Sequence, residues 1–314
     1  MREKMLSVNK KIYTQKEKKR RRKIKNSIGE RIFDVANVIF MIILSCIMIY
    51  PMWYVLCASF SSVTRLSAYN GFIFAPLNFN VQAYKMMFKH PLIVRSYFNS
   101  IFLVVMSVTI SIVFTSICAY ILSRKNVLWN KFLNIMVLFT MFFSGGMIPT
   151  YLIISQILKM NNSYWALVLP GAISVYNMII MRTSFEAIPT SLEEAAKLDG
   201  AGHWRILFSV VVPLSKAIIA VMVLYYAVGV WNAWFDASIY LHDRNKFPLQ
   251  LILREILISN DTTSLSNASA MDQEAVGELI KYSTIVFATV PILCVYPFLQ
   301  KYFTKGVMIG AVKG

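Results

Sequence analysis

The side chains that could do chemistry in this 314-residue chain are few and scattered. The three histidines, His90, His203 and His242, fall in predicted loops with no obvious partners. No G-x-x-x-x-G-K-S/T loop is present to cradle a phosphate, and there is no H-E-x-x-H, no nucleophile elbow and no pair of carboxylates flanking a pocket. Cys46, Cys57, Cys118 and Cys294 each sit in or at the end of an apolar run without metal-ligand spacing, so they read as small buried hydrophobes. The pattern predicts no catalytic residue, no metal site and no cofactor bound by this chain. One dense acidic group remains: Glu193, Glu194 and Asp199, within the stretch 186–217.

That stretch has a definite local logic. Pro189 ends the incoming segment, and Ser191 with Glu194 has the S-x-x-E spacing of a capping box. Glu193 and Glu194 put negative charge at the positive end of the helix dipole. Ala195 and Ala196 offer a smooth surface for close approach. Asp199-Gly200 supplies a turn, with Gly202 just beyond. A second short helix, about 203–210, carries Trp204, Leu207 and Phe208, and Pro213 marks the approach to the next apolar run. The predicted unit is a small helix–turn–helix, alanine-faced and acidic at its front, suited to docking in a groove on a partner. Roughly 30 residues is far more than a simple connection needs.

The elements that hold this unit are membrane spans. Hydrophobic residues make up 57% of the chain and charged residues only 15%, against about 25% in an average soluble domain. The net charge is +17, but 13 of the 32 Lys and Arg lie in residues 1–31. That concentration indicates a basic tail near anionic headgroups, not a nucleic-acid face. A bilayer core needs about 20 apolar residues per helix. Six segments reach that length with no Asp, Glu, Lys or Arg: 35–60, 97–121, 132–156, 163–181, 217–235 and 282–300. The predicted fold is all-α and polytopic. Lys and Arg number 23 on one side of these spans and 9 on the other, which puts both termini in the cytoplasm. The run after residue 31 is too long for a signal-peptide core and reads as the first span. No span carries a mid-membrane charge, which counts against an ion-coupled carrier.

At this point the loop is specific enough to compare. Glu194-Ala195-Ala196-Lys197-Leu198-Asp199-Gly200-Ala201, followed by Pro213-Leu214, resembles the EAA loop of ABC importer permeases. The resemblance extends over nearly the whole chain and is strongest to the carbohydrate-uptake type, similar to the maltose transporter's six-span permease and to the Gram-positive complex-oligosaccharide group. The stretches 231–236 and 300–314 add to it. It implies the fold shared by methionine and maltose permeases (MetI-like), with 32–314 as one transmembrane domain, 184–213 as the coupling loop and 301–314 as a cytoplasmic tail. It implies a heterodimer with a sister permease, a cytoplasmic ATPase dimer carrying ATP and Mg, and an external sugar-binding lipoprotein. Glu194, Ala195, Ala196, Asp199, Gly200 and Ala201 would then couple ATPase closure to alternating access. Related sequences often have proline shortly after the P-L pair, where this chain has Ser215-Lys216-Ala217.

The remaining candidates each have two readings. Gly145, Gly146 and Pro149 interrupt the third span, either to line a pathway or as a packing kink. Trp231, Asn232 and Trp234 end the fifth span, either as sugar contacts or as interfacial anchors. The outer stretch 237–281 is either a reach toward a binding protein or an exposed loop, and 61–96 reads as a lid over the bundle. The rival functions are a secondary carrier or channel that works without ATP, and a structural membrane anchor.

Overall fold

The computed structural model describes residues 27–69, 71–89, 91–259, 280–295 and 297. The basic tail before residue 27, the 262–271 stretch and the 301–314 tail lie outside the described residues. No strand occurs among those described. The chain divides into two compact units, 1–54 and 55–314.

Helix α1, Ile28–Ser59, makes up the described part of the first unit and runs into the second. Its mean hydropathy of 2.5 and 32-residue length suit a bilayer crossing. None of its residues before Cys57 is buried. Such a helix is stable only where lipid or another protein covers its apolar face.

The second unit is organised around α4, Pro91–Ser123, preceded by the short helices α2, Val63–Ser67, and α3, Gln82–Lys89. One face of α4 buries Ser96, Ser100, Leu103, Ser107, Ser111, Thr115 and Ala119 at spacings of three and four. Small side chains at that period let neighbouring helices approach closely, which substitutes for a hydrophobic drive in lipid. Against α4 pack α8, Val175–Glu186, and α11, Lys216–Asn232. A shared hydroxyl joins all three: Tyr226 Oη lies 2.7 Å from Thr115 Oγ1 and accepts the Ser174 N–H at 3.0 Å.

The six expected apolar segments are not all continuous helices, and the third is broken where Gly145, Gly146 and Pro149 interrupt it. Among the described residues, α1 and α4 are the helices individually long and apolar enough to cross a membrane, and two bent helix pairs pass the same test together. The third apolar segment is α5, Asn130–Phe142, followed by Met147–Ile157 (α6), and the two meet at 107°. The bend falls at Gly145-Gly146, where Gly146 has φ +87°. A left-handed backbone there favours glycine. The fourth segment is split into α7, Trp165–Val168, and α8, because Pro170-Gly171 interrupts it. Helix α10, His203–Leu214, meets α11 at 87°, with the break at Ser215 and not at Pro213. The last described helix, α14, spans Ile280–Val295.

Two further expectations change. Cys57 is buried, but Cys46 and Cys294 are exposed: an apolar run faces outward when lipid or a partner surrounds it. The stretch after span five is ordered structure in its described part, with α12, Phe235–Tyr240, and α13, Leu249–Ser259. Leu249, Leu251 and Ile252 are buried. The stretch docks on α4 through Asn99 Nδ2, which donates to the carbonyls of Asn245 and Phe247, while Ser100 Oγ accepts the Leu249 N–H at 2.8 Å.

Two buried clusters lie toward opposite ends of α4. One gathers Ile93, Trp231, Leu249, Ile280 and Ala288. The other gathers Ala119, Tyr120, Met181, Phe185, Ile206 and Leu207. The second cluster is the seat of the acidic loop.

Candidate functional site

The corner between α8 and α11 starts at Pro189, whose φ of −58° and ψ of 131° deliver extended chain into α9, Thr190–Leu198. The helix therefore begins two residues earlier than a Ser191 cap would allow. Ser191 lies inside the first turn and Glu194 just beyond it, and no side chain caps the helix. The expected capping box is not formed, because the proline already sets the approach of the chain.

The two adjacent glutamates part company, as residues about 100° apart on a helix must. Glu193 turns inward, is 6% exposed, and forms an ion pair with Arg124, the residue after the end of α4. Arg124 lies over the Tyr120 ring at 4.6 Å, and its Nε and Nη2 have no hydrogen-bond partner. Glu194 turns outward and is exposed, as are Ala195 and Asp199, while Ala196 and Ala201 are half-buried against the cluster below.

The end of α9 is a Schellman turn. Asp199 is the C-cap, and Gly200 follows with φ +78°. The Gly200 N–H donates to Lys197 O at 3.0 Å and the Ala201 N–H to Ala196 O at 2.9 Å. A left-handed residue is required at that step, and glycine occupies it without strain. Helix α10 then buries Ile206, Leu207 and Val211 while leaving Trp204 and Phe208 out, stacked at 6.3 Å. With Leu192 and Leu198, they give the corner an exposed apolar rim beside Glu194. Leu198 is 89% exposed, the extreme of the rim.

A chain of polar contacts fastens this corner from behind. Asn130 Nδ2 donates to the carbonyls of Leu122 and Arg124 at 3.2 and 2.7 Å. Asn134 Nδ2 donates to Asn130 O at 2.8 Å, and Arg182 donates to Asn134 Oδ1. Arg182 also pairs with Glu186 at 2.8 Å. The end of α4, the start of α5 and the end of α8 are thus tied to one another. A cavity of about 1030 Å³ opens beside them, lined by Tyr120, Arg124, Glu186, Glu193, Glu194 and Trp204.

The pathway candidates are not gathered with the corner. Trp231 is buried near the other end of α11, its indole N–H donating to Ala288 O at 3.1 Å and its ring edge-on to Tyr97. Asn232 is exposed, and its Nδ2 donates to Val228 O at 3.0 Å. Trp234 is half-buried beneath the Arg254 guanidinium. Gly145 and Gly146 are exposed at the bend between α5 and α6.

Residues 17–309 match the family described as the binding-protein-dependent transport system inner membrane component. The chain belongs to this family. The permease is 42% identical to Protein LplC of Bacillus subtilis (strain 168), over 92% of its own length and 97% of that protein's. It is 40% identical to the polygalacturonan/rhamnogalacturonan transport system permease protein YtcP of the same organism, over 90% and 99%. Among solved structures it is similar to a bacterial ABC transporter involved in the import of the acidic polysaccharide alginate. The TM-score there is 0.80 at 31% identity, covering 88% of the permease and 99% of that chain.

Reading the sequence missed the partners of this corner. Its place near the helix start marks Glu193 only as a partner of the helix dipole, and no local pattern marks Arg124, Asn130, Asn134 or Arg182. The usable signal is weak: Arg124 is the first cation after a long apolar run, and an acid in a later loop on the same side is its natural partner.

Proposed function

We propose that this permease forms half of the translocation pathway of an ATP-driven importer of oligosaccharides, and does no chemistry itself. The observation that carries the reading is the corner built on α9 and α10. Its inner face is locked to α4 by Arg124–Glu193, and its outer face presents Glu194, Ala195, Leu192, Leu198 and Trp204. A rigid element with an exposed apolar rim fits a cleft on a moving partner. The partner is a cytoplasmic ATPase dimer that binds ATP and Mg. Glu194, Ala195, Ala196, Asp199, Gly200 and Ala201 form and shape the docking element.

The other assignments follow the family. A sister permease completes the pathway, an external binding lipoprotein delivers the sugar, both termini are cytoplasmic, and 32–314 is the transmembrane domain. Sugar as cargo is supported by the relatives, whose names specify polygalacturonan/rhamnogalacturonan and maltodextrin transport. On the pathway side we assign Asn232, Trp234 and the Gly145-Gly146 bend. Trp231 supports that surface from the core.

The test is co-purification from mild detergent of the tagged chain expressed with its neighbouring genes. A second permease and an ATPase are expected, with the ATPase lost on Leu198→Asp or Glu194→Arg while the chain still inserts. A chain that purifies without any ATPase would refute the reading and favour an autonomous carrier.

A further inference from the structure

Helix α11 runs 17 residues from the coupling corner, about 25 Å at 1.5 Å per residue. Its far end breaks at Ala233, where the backbone becomes extended, and Trp234 follows. Trp234 is packed from below by the buried cluster that holds Trp231 and Leu249. Its ring carries the guanidinium of Arg254, whose carbon lies 3.3 Å from the ring centroid. Arg254 comes from α13, the helix anchored to α4 through Ser100. Two separately anchored elements therefore bring this arginine and this indole together.

Three other described cations on this side are engaged. Arg244 pairs with Glu255, Arg95 donates to Asn245 Oδ1 at 3.1 Å, and Lys246 donates to Asn162 O at 2.8 Å. Arg254 is exposed, and no carboxylate among the described residues pairs with it, Asp236 included. Stacking uses only the flat face of a guanidinium. Its edge keeps its N–H donors, in the fork geometry that matches a carboxylate at two points. The aromatic platform also restricts the side chain's rotation, so less freedom is lost when an anion arrives.

We propose that Arg254, held on Trp234, reads the carboxylate of a uronic-acid residue, so that the cargo is an acidic oligosaccharide. This rests on the sugar-importer reading and adds to it a substrate class and a specificity-determining residue. Asn232, two residues before Trp234 and exposed, leaves its side-chain carbonyl available to accept a sugar hydroxyl.

The experiment uses the complete complex in proteoliposomes, with ATP inside and binding protein outside. Uptake of trigalacturonate is compared with uptake of the same trisaccharide after its carboxylates are reduced to alcohols. Arg254→Gln is expected to raise the KM for trigalacturonate about tenfold or more, the scale of one lost charge-assisted hydrogen bond, and to lower the acid-to-neutral selectivity by a similar factor. Arg254→Lys keeps the charge without the fork and should fall between. Trp234→Leu should weaken selectivity in the same direction through the lost platform.

Selectivity unchanged in Arg254→Gln, or an equal fall for both sugars, would overturn the assignment by making Arg254 structural. A wild-type complex that moves the neutral sugar with ATP and ignores the uronate would overturn the substrate class and leave the importer reading standing. A complex that takes up neither sugar, and retains no ATPase, would remove both.

Discussion

Glu193→Gln is the most informative single change in the coupling corner. The side chains of Glu193 and Arg124 are 8% and 16% exposed, so their pair is largely removed from water. Removing one member of a buried pair leaves the other charge uncompensated, at a cost of about 3–5 kcal/mol. Arg124 Nε and Nη2 have no hydrogen-bond partner, which leaves the Tyr120 ring as the contact that could soften this cost. At about 1.4 kcal/mol per factor of ten, even 3 kcal/mol shifts the docked corner toward its released form by about a hundredfold. The released corner would still carry Glu194 and its apolar rim, so the ATPase should remain bound. What should fail is transmission: ATP hydrolysis continues while sugar moved per ATP drops. Hydrogen exchange of residues 190–206 should rise by a comparable factor. Arg124→Gln with Glu193→Gln removes both charges and should recover part of the loss, as a thermodynamic cycle would show. If Glu193→Gln leaves both the coupling ratio and the exchange of 190–206 within twofold of wild type, the clamp is not what ties the corner to α4. A strictly additive cycle would say the same.

Other outcomes follow from single contacts. Gly200→Ala places a Cβ at φ +78° and should cost about 1 kcal/mol, read as faster exchange at 199–202 with membrane insertion intact. Tyr226→Phe strips the hydroxyl shared by Thr115 and the Ser174 N–H. Polar contacts in membranes average about 0.6 kcal/mol, so losing two should cost about 1 kcal/mol, seen as a lower midpoint in detergent unfolding. Asn99→Ala removes the amide that holds 245–247 and should loosen the α13 segment, detected as faster proteolysis there. Unchanged protection in any of these would show that the contact is incidental.

The parts of this molecule that were legible beforehand depend on local chemistry. Gly200 was readable because a helix that ends in Asp-Gly calls for a left-handed residue at that step. The Gly145-Gly146 bend was readable because two glycines and a proline interrupt an apolar run. The capping box failed on a local competition, since Pro189 set the helix start before Ser191 had a role. Arg124–Glu193 was not readable because its members lie in different loops, and only packing of α4 against the α9–α10 corner unites them. Arg254 on Trp234 is hidden for a similar reason: in sequence the stretch that carries Leu249 and Ile252 reads as an outer loop, and its burial depends on Asn99 and Ser100 of a distant helix. Cys46 and Cys294 show the limit of hydropathy, which cannot separate a lipid-facing position from a core one.

The central claim is tested most directly by ATP-dependent sugar uptake in proteoliposomes that hold this permease, its sister subunit and the ATPase, with the binding protein outside. The account predicts accumulation of labelled oligosaccharide that requires internal ATP, stops when ATP is replaced by a non-hydrolysable analogue, and falls sharply with Glu194→Arg. Accumulation that is the same with and without ATP, or unaffected by Glu194→Arg, would contradict it.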